Sequence, residues 1–103
     1  MFEDQVRRFV TDRIYKEIPP RIIDHLWWVI DGLVQANEEL SCIQIFKLKG
    51  EEDRQNIIHQ QLNVPFFKES TIHIVDGEPL PESVIWAVDT GEFQTLLFPE
   101  EMY

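Results

Sequence analysis

The chain has a single cysteine, Cys42, in 103 residues, which excludes an intramolecular disulfide. Its first residues, MFEDQVRRF, lack the charged-then-apolar layout of a secretory signal, so the chain reads as cytoplasmic. No apolar run approaches the ~18 residues of a membrane span. Glycine is scarce: Gly32, Gly50, Gly77 and Gly91 stand alone, so no phosphate-cradling loop is present. No serine sits in a G-x-S-x-G context, which removes that nucleophile elbow. His25, His59, His73 and Cys42 show no C-x-x-C or H-x-x-x-H spacing, so the expected metal, cofactor and catalytic sets are all none. Cations are missing from the last third. Beyond Lys68 come Glu69, Asp76, Glu78, Glu82, Asp89, Glu92, Glu100 and Glu101 with no Lys or Arg among them.

The net charge is −10, and it is uneven. Residues 1–37 hold five basic and six acidic side chains, whereas residues 38–103 hold four and thirteen. Direct binding to nucleic acid is disfavoured, because that affinity rests on neutralising phosphates. An anionic membrane surface is disfavoured for the same reason. A basic protein remains a compatible partner, though solubility alone is the favoured explanation of such a charge.

What the chain does contain is one strongly periodic segment, PPRIIDHLWWVIDGLVQAN, from Pro19 to Asn37. Ile23, Leu26, Trp27, Ile30 and Val34 recur at three- and four-residue steps, and Ile22, Val29 and Leu33 widen the stripe, which predicts an amphipathic helix. Pro19 and Pro20 suit its first turn, where a missing N–H costs nothing. Gly32, inside the last third, costs ~1 kcal/mol against alanine, so either a neighbour approaches closely or the helix is weaker there. Asn37 with Glu38-Glu39 reads as the stop.

Before the helix, Phe9–Asp12 reads as a short strand, and 14–18 reads as either its extension or an irregular lead-in to the prolines. After it the period becomes alternating. Residues 42–49 and 55–62 form a hairpin about a turn at 50–53; symmetrical pairing sets Phe46 opposite Ile57, Gln44 opposite His59 and Ile45 opposite Ile58. Asn63-Val64-Pro65 breaks the ladder, with Phe66-Phe67 anchoring the connection, and the next strand is Thr71–Val75. A proline-rich loop over 76–82 leads to Val84–Asp89. A turn with Gly91 at positive φ then connects to the closing strand Phe93–Phe98. Together these predict a single α+β domain spanning 1–103, one long amphipathic helix packed on a mainly antiparallel sheet of about five or six strands, in a two-layer sandwich.

The segments RFVTDRIYKEIP, LWWVIDGL, CIQIFKL, NIIHQQLNVPFFKE and QTLLFPEEMY together resemble a group of small bacterial proteins. That group is known mainly from low-GC Gram-positive bacteria and is catalogued as a domain of unknown function first described as staphylococcal. The resemblance covers nearly the whole chain. It implies a bacterial cytosolic protein and brings no activity, cofactor or functional residue. Most members carry a polar residue where this chain has Trp28, so a role for Trp28 would be private to it.

Residue by residue, the bland explanations outweigh the chemical ones. Cys42 reads as a small apolar filler rather than a nucleophile paired with His59. The carboxylate pairs fall at turns and ends, where carboxylates are solvated and ordinary. His59 and His73 would lie side by side only if their strands pair in the right register. Trp28 projects with Arg21, Asp24, His25, Asp31 and Gln35, and internal cover by residues 2–18 outweighs presentation to a partner. Trp86 is expected in the core; if the helix instead covers Ile85, then Val84, Trp86 and Val88 form an open strip that invites a homodimer. The leading function is a non-enzymatic acidic interaction or regulatory module, with Trp28, Asp24, Asp31, Glu78, Glu82 and Glu92 as candidate partner contacts. A nucleic-acid mimic is a narrower form of it. The rival is a small-ligand binder or enzyme with a pocket between helix and sheet near His59, His73 and Trp28. Its mark would be a cavity of several hundred Å³ with convergent polar groups.

Overall fold

Ile22, Leu26, Ile30 and Leu33 form the fully buried row of the long helix, with Ile23, Trp27, Val29 and Val34 half-buried on its flanks. The computed structural model describes residues 7–36, 39–73 and 80–102. Its elements in order are β1 (Arg7–Val10), α1 (Asp12–Glu17), α2 (Pro20–Gln35), β2 (Ile43–Glu51), β3 (Arg54–Gln61), β4 (Val64–His73), β5 (Ser83–Asp89) and β6 (Phe93–Leu97), closed by a 3-10 turn at Pro99–Met102. All six strands share one sheet in the order β1-β6-β5-β2-β3-β4. Every pairing is antiparallel except β1 with β6, which is parallel. The architecture is therefore mixed α and β, with strand exceeding helix. Asn37 and Glu38, expected as the helix stop, lie outside the described residues; α2 ends at Gln35 with Ala36 as its cap.

The row on α2 meets Phe46, Leu48, Ile57, Ile85, Ala87 and Leu96, all buried in the same cluster with Ile14 and Ile18. Each buried aliphatic or aromatic side chain of this size contributes roughly 1.5–3 kcal/mol. Because β5 presents Ile85 and Ala87 to the helices, alternation turns Val84, Trp86 and Val88 to the opposite face. Trp86 is therefore half-buried on the far side of the sheet and not in the core. Phe9 and Phe93, edge-to-face at 5.5 Å, lie exposed on β1 and β6.

Three local expectations are corrected. Residues 12–17 are helical, because the Thr11 side chain caps the Ile14 N–H and Ile14 is fully buried; a six-residue helix is held by its cap and packing rather than by propensity. The β2–β3 hairpin turns at Glu52-Asp53, with Glu52 at φ 51, and Gly50 belongs to the strand opposite Gln55. Phe46 therefore pairs with His59, Gln44 with Gln61 and Ile45 with Gln60, a two-residue slip that keeps every side chain on its expected face. Finally, Val64–His73 forms one continuous strand with a bulge against Gln60/Gln61. Pro65 is tolerated because β4 is an edge strand, where one rim of backbone N–H groups has no ladder partner.

Arg8 ties the first strand to the long helix. Its guanidinium lies 4.6 Å from the Trp27 ring centroid, donates to both Asp31 carboxylate oxygens, and donates through Nε to Gln94 Oε1 at 2.8 Å. Asp31 is thereby engaged inside the fold. The pair is only partly shielded from water, so Arg8→Ala is expected to lower stability by about 1–2 kcal/mol. The check is a urea midpoint measured beside Arg7→Ala, which should move it far less because Arg7 is exposed.

Candidate functional site

The covered face of the sheet carries, among its apolar residues, a set of buried polar ones: Gln44, Gln55, His59, Gln61, Asp89 and Gln94. Buried amides must find partners or cost about 1–3 kcal/mol each. Gln55 does so by pairing with both backbone groups of Leu80, which pins the chain entering β5. Gln44, Gln61 and His59 form a relay. The Gln61 Oε1 accepts from the Ser41 N–H at 2.7 Å and from Gln44 Nε2 at 2.9 Å, and Gln61 Nε2 donates to the Glu39 carbonyl. Gln44 Nε2 also donates to the Ser41 carbonyl at 2.8 Å, leaving its Oε1 facing His59 Nε2 at 2.7 Å.

The His59 ring is fixed on both sides. Phe46 stacks on it at 4.5 Å, and Phe66 meets it edge-on at 5.0 Å. Burial, with the Lys68 charge as the second cause, pushes its pKa down to about 4, so it is neutral at pH 7. Its Nδ1 is buried and has no hydrogen-bonding partner among the described residues.

His59 lines a cavity of about 240 Å³ between α2 and the β3–β4 pair. Val29, Leu33 and Ile57 supply apolar wall, and Trp28, Lys68 and Ser70 complete it with Gly32 and Ala36. Lys68 lies directly opposite His59 across the β3–β4 ladder. Ser70 Oγ is 3.4 Å from His25 Nε2, and the His25 ring tilts against Trp28 at 5.6 Å. Burial lowers the His25 pKa as well. Two larger hollows are shallower and more open: one of about 810 Å³ where Arg13, Lys47, Lys49 and Glu82 meet, the other of about 570 Å³ beside Phe9 and Phe93.

The residues singled out from the sequence do not gather at one place. Trp28 is 70% exposed rather than covered, with part of its side chain forming cavity wall. Asp24 is exposed on the same helix, and Asp31 is held by Arg8. Glu82 and Glu92 lie beyond opposite ends of β5, each lining a different open hollow. Glu78 lies outside the described residues, as does the side chain of His73; the His73 backbone pairs with Arg54, so β3 and β4 do not bring it beside His59. Cys42 is exposed, not a filler, and His59 bonds Gln44 instead. Among the described residues no three His, Cys, Asp or Glu side chains cluster, and no helix is long and apolar enough to cross a membrane. Gln44, expected only as a cross-strand neighbour of His59, and Gln61 and Lys68 are not among the residues the sequence marks for the site. Their one signal was parity, since Gln44 and Gln61 alternate in phase with Phe46 and Ile57.

The profile of a protein family described as "Staphylococcal protein of unknown function (DUF960)" matches residues 7–101. The chain belongs to this family. The match spans α2, β3 and β4, so every residue lining the cavity lies inside the DUF960 region. A solved structure, "Crystal structure of the protein of unknown function from Enterococcus faecalis", is similar at a TM-score of 0.81 with 25% identity, covering 100% of this chain and 99% of that one. No curated protein matches the chain.

Proposed function

We propose that this protein is a small-ligand-binding module whose site is the cavity between α2 and the β3–β4 pair. The arrangement is read as a two-layer single domain, helices on one sheet face, working in the cytoplasm. One observation carries the reading: a buried histidine, His59, whose Nδ1 has no hydrogen-bonding partner among the described residues, forms part of the wall of a partly enclosed cavity. An unmet buried acceptor costs about 1–3 kcal/mol, a cost that a ligand can offset. Gly32 supports the same site. A Cβ built there meets nothing within 4 Å, so no packed neighbour requires a glycine, and the residue lines the cavity. Binding is preferred over catalysis because the Ser70–His25 contact is long, at 3.4 Å, and no described carboxylate hydrogen-bonds to His25.

A fragment screen by protein-observed NMR tests this. Fragments should shift the signals of Trp28, His59, Lys68 and Ser70 together, and Gly32→Leu should abolish the shifts while the protein stays folded. A screen at millimolar concentration that moves none of these signals defeats the proposal. Gly32→Ala should meanwhile raise stability by ~1 kcal/mol, or a melting shift of roughly 4–8 °C, and narrow the cavity. Unchanged or lower stability would show that the helix gains nothing there.

A second reading keeps the chain as an acidic, non-enzymatic interaction or regulatory module with a basic protein as partner. Its support is the net charge of −10 and the absence of cations after Lys68. The scatter of Asp24, Asp31, Glu82 and Glu92 makes it the weaker of the two. Capture of a basic partner that is lost at moderate salt supports it, and the same capture at all salt concentrations counts against a charge-based contact.

A further inference from the structure

The orientation of every group in the relay beneath the cavity is determined by backbone groups at its far end. The Ser41 N–H can only donate, so the Gln61 atom it meets is the oxygen. The Ser41 carbonyl can only accept, so the Gln44 atom beside it is the nitrogen. Gln44 therefore turns its oxygen to His59, and an amide oxygen can only accept. The proton of neutral His59 must then be on Nε2, donated to Gln44. Nδ1 is left as a bare lone pair, a buried hydrogen-bond acceptor on a residue that lines the cavity. Residues far from the cavity thus decide what its inner wall asks of a ligand: a donor and not an acceptor.

The second polar demand comes from Lys68. It lines the cavity across the ladder from His59, and it makes no ion pair among the described residues. That is notable in a chain with 19 carboxylate side chains against 9 Lys and Arg. Apart from these two groups and Ser70, the wall is mostly apolar, with Val29, Leu33, Ile57 and Trp28 among its residues. A volume of about 240 Å³ is below the ~300–1,000 Å³ of drug-sized pockets. It corresponds to roughly eight waters at ~30 Å³ each.

Resting on the ligand-site reading above, we propose that the cavity takes a small organic acid whose compact apolar body carries an O–H or N–H, with that donor delivered to His59 Nδ1 and the carboxylate held by Lys68. A neutral imidazole with depressed basicity keeps the acceptor available through the physiological pH range. Ligands offering an acceptor at that point meet a lone pair and are rejected.

The test has two parts on the full chain. Long-range proton–nitrogen spectra of 15N-labelled protein report the His59 tautomer directly; protonated Nε2 and bare Nδ1 are expected. Titrations then compare 4-hydroxyphenylacetate, phenylacetate and 4-methylphenol. Loss of the hydroxyl should weaken binding at least tenfold and abolish the shift of the Nδ1 signal, and loss of the carboxylate should weaken it about three- to tenfold at low salt. Lys68→Gln, at an exposed position, should remove the preference for the acid and leave the preference for the hydroxyl. A proton found on Nδ1, or phenylacetate binding as tightly as its hydroxylated form, overturns the donor assignment while the cavity remains a binding site. Equal affinity of wild type and Lys68→Gln for 4-hydroxyphenylacetate overturns the acid assignment. If the wider fragment screen also fails to move the cavity residues, the site reading itself falls.

Discussion

Gln44→Leu is expected to destabilise the protein by about 2–4 kcal/mol, although leucine is close to glutamine in volume. Gln44 is fully buried and joins three partners: the Ser41 carbonyl, Gln61 Oε1 and His59 Nε2. Its loss strands the His59 N–H and removes one partner each from the Ser41 carbonyl and Gln61, while the leucine returns only part of this as apolar burial. The informative companion is the double variant Gln44→Leu with His59→Phe. Phenylalanine fits the aromatic slot between Phe46 and Phe66 and carries no donor to strand. Removing both ends of a hydrogen bond costs less than removing one, so the double variant should regain about 1–2 kcal/mol over Gln44→Leu alone. Urea denaturation of the four proteins closes the cycle. Strict additivity would show that the two side chains are not coupled and that the relay contributes nothing as a unit.

The second large effect is a loss of stability in mild acid. The folded His59 titrates at about 4 and an unfolded histidine at about 6.5. Between those values the unfolded chain binds the extra proton, so stability falls as pH falls. The contribution is complete above pH 6.5, drops by up to about 1.4 kcal/mol per pH unit below it, and is exhausted near pH 4. That gives a loss of about 2 kcal/mol between pH 7.5 and 5, before the carboxylates have titrated appreciably. The charged group bearing on the ring is Lys68 from β4; separately, burial lowers the pKa of the half-buried His25 on α2, which adds a contribution of the same sign. His59→Phe should flatten the profile across this window. A profile already flat in the wild type would mean that the ring is solvated or protonated in the native state.

Some of this was legible from the order of residues and some was not. The long helix declared itself, because Leu26 and Ile30 belong to a stripe with only one period. The β5–β6 hairpin did too, through Asp89-Thr90-Gly91-Glu92 with Gly91 at φ +96. The β2–β3 register slipped by two because Gly50 is the expected turn residue, whereas the chain bends at Glu52, a residue type that seldom adopts positive φ. β4 was cut short because Pro65 looks like a terminator, and whether a strand lies at an edge is a property of the whole sheet. β5 is apolar on both faces, so nothing local chose Ile85 over Trp86 for the core. Of the three residues the sequence sets near a helix–sheet pocket, His59 and Trp28 line the cavity, and the His73 side chain lies outside the described residues. The amides beneath the cavity look like surface residues until both strands are paired.

The parallel partnership of β1 with β6 joins Arg8 to Gln94 across nearly the full length of the polypeptide. During synthesis the β2–β3–β4 meander can assemble from neighbouring residues. The two helices, made earlier, find Phe46, Leu48 and Ile57 on that meander but must wait for β5 and β6 for Ile85, Ala87 and Leu96, the other half of their apolar counterpart on the sheet. Such distant closure is slow compared with hairpin formation. Until β5 and β6 are in place, the apolar face of the long helix is only partly covered, and that interval is when a chaperone would have most to do.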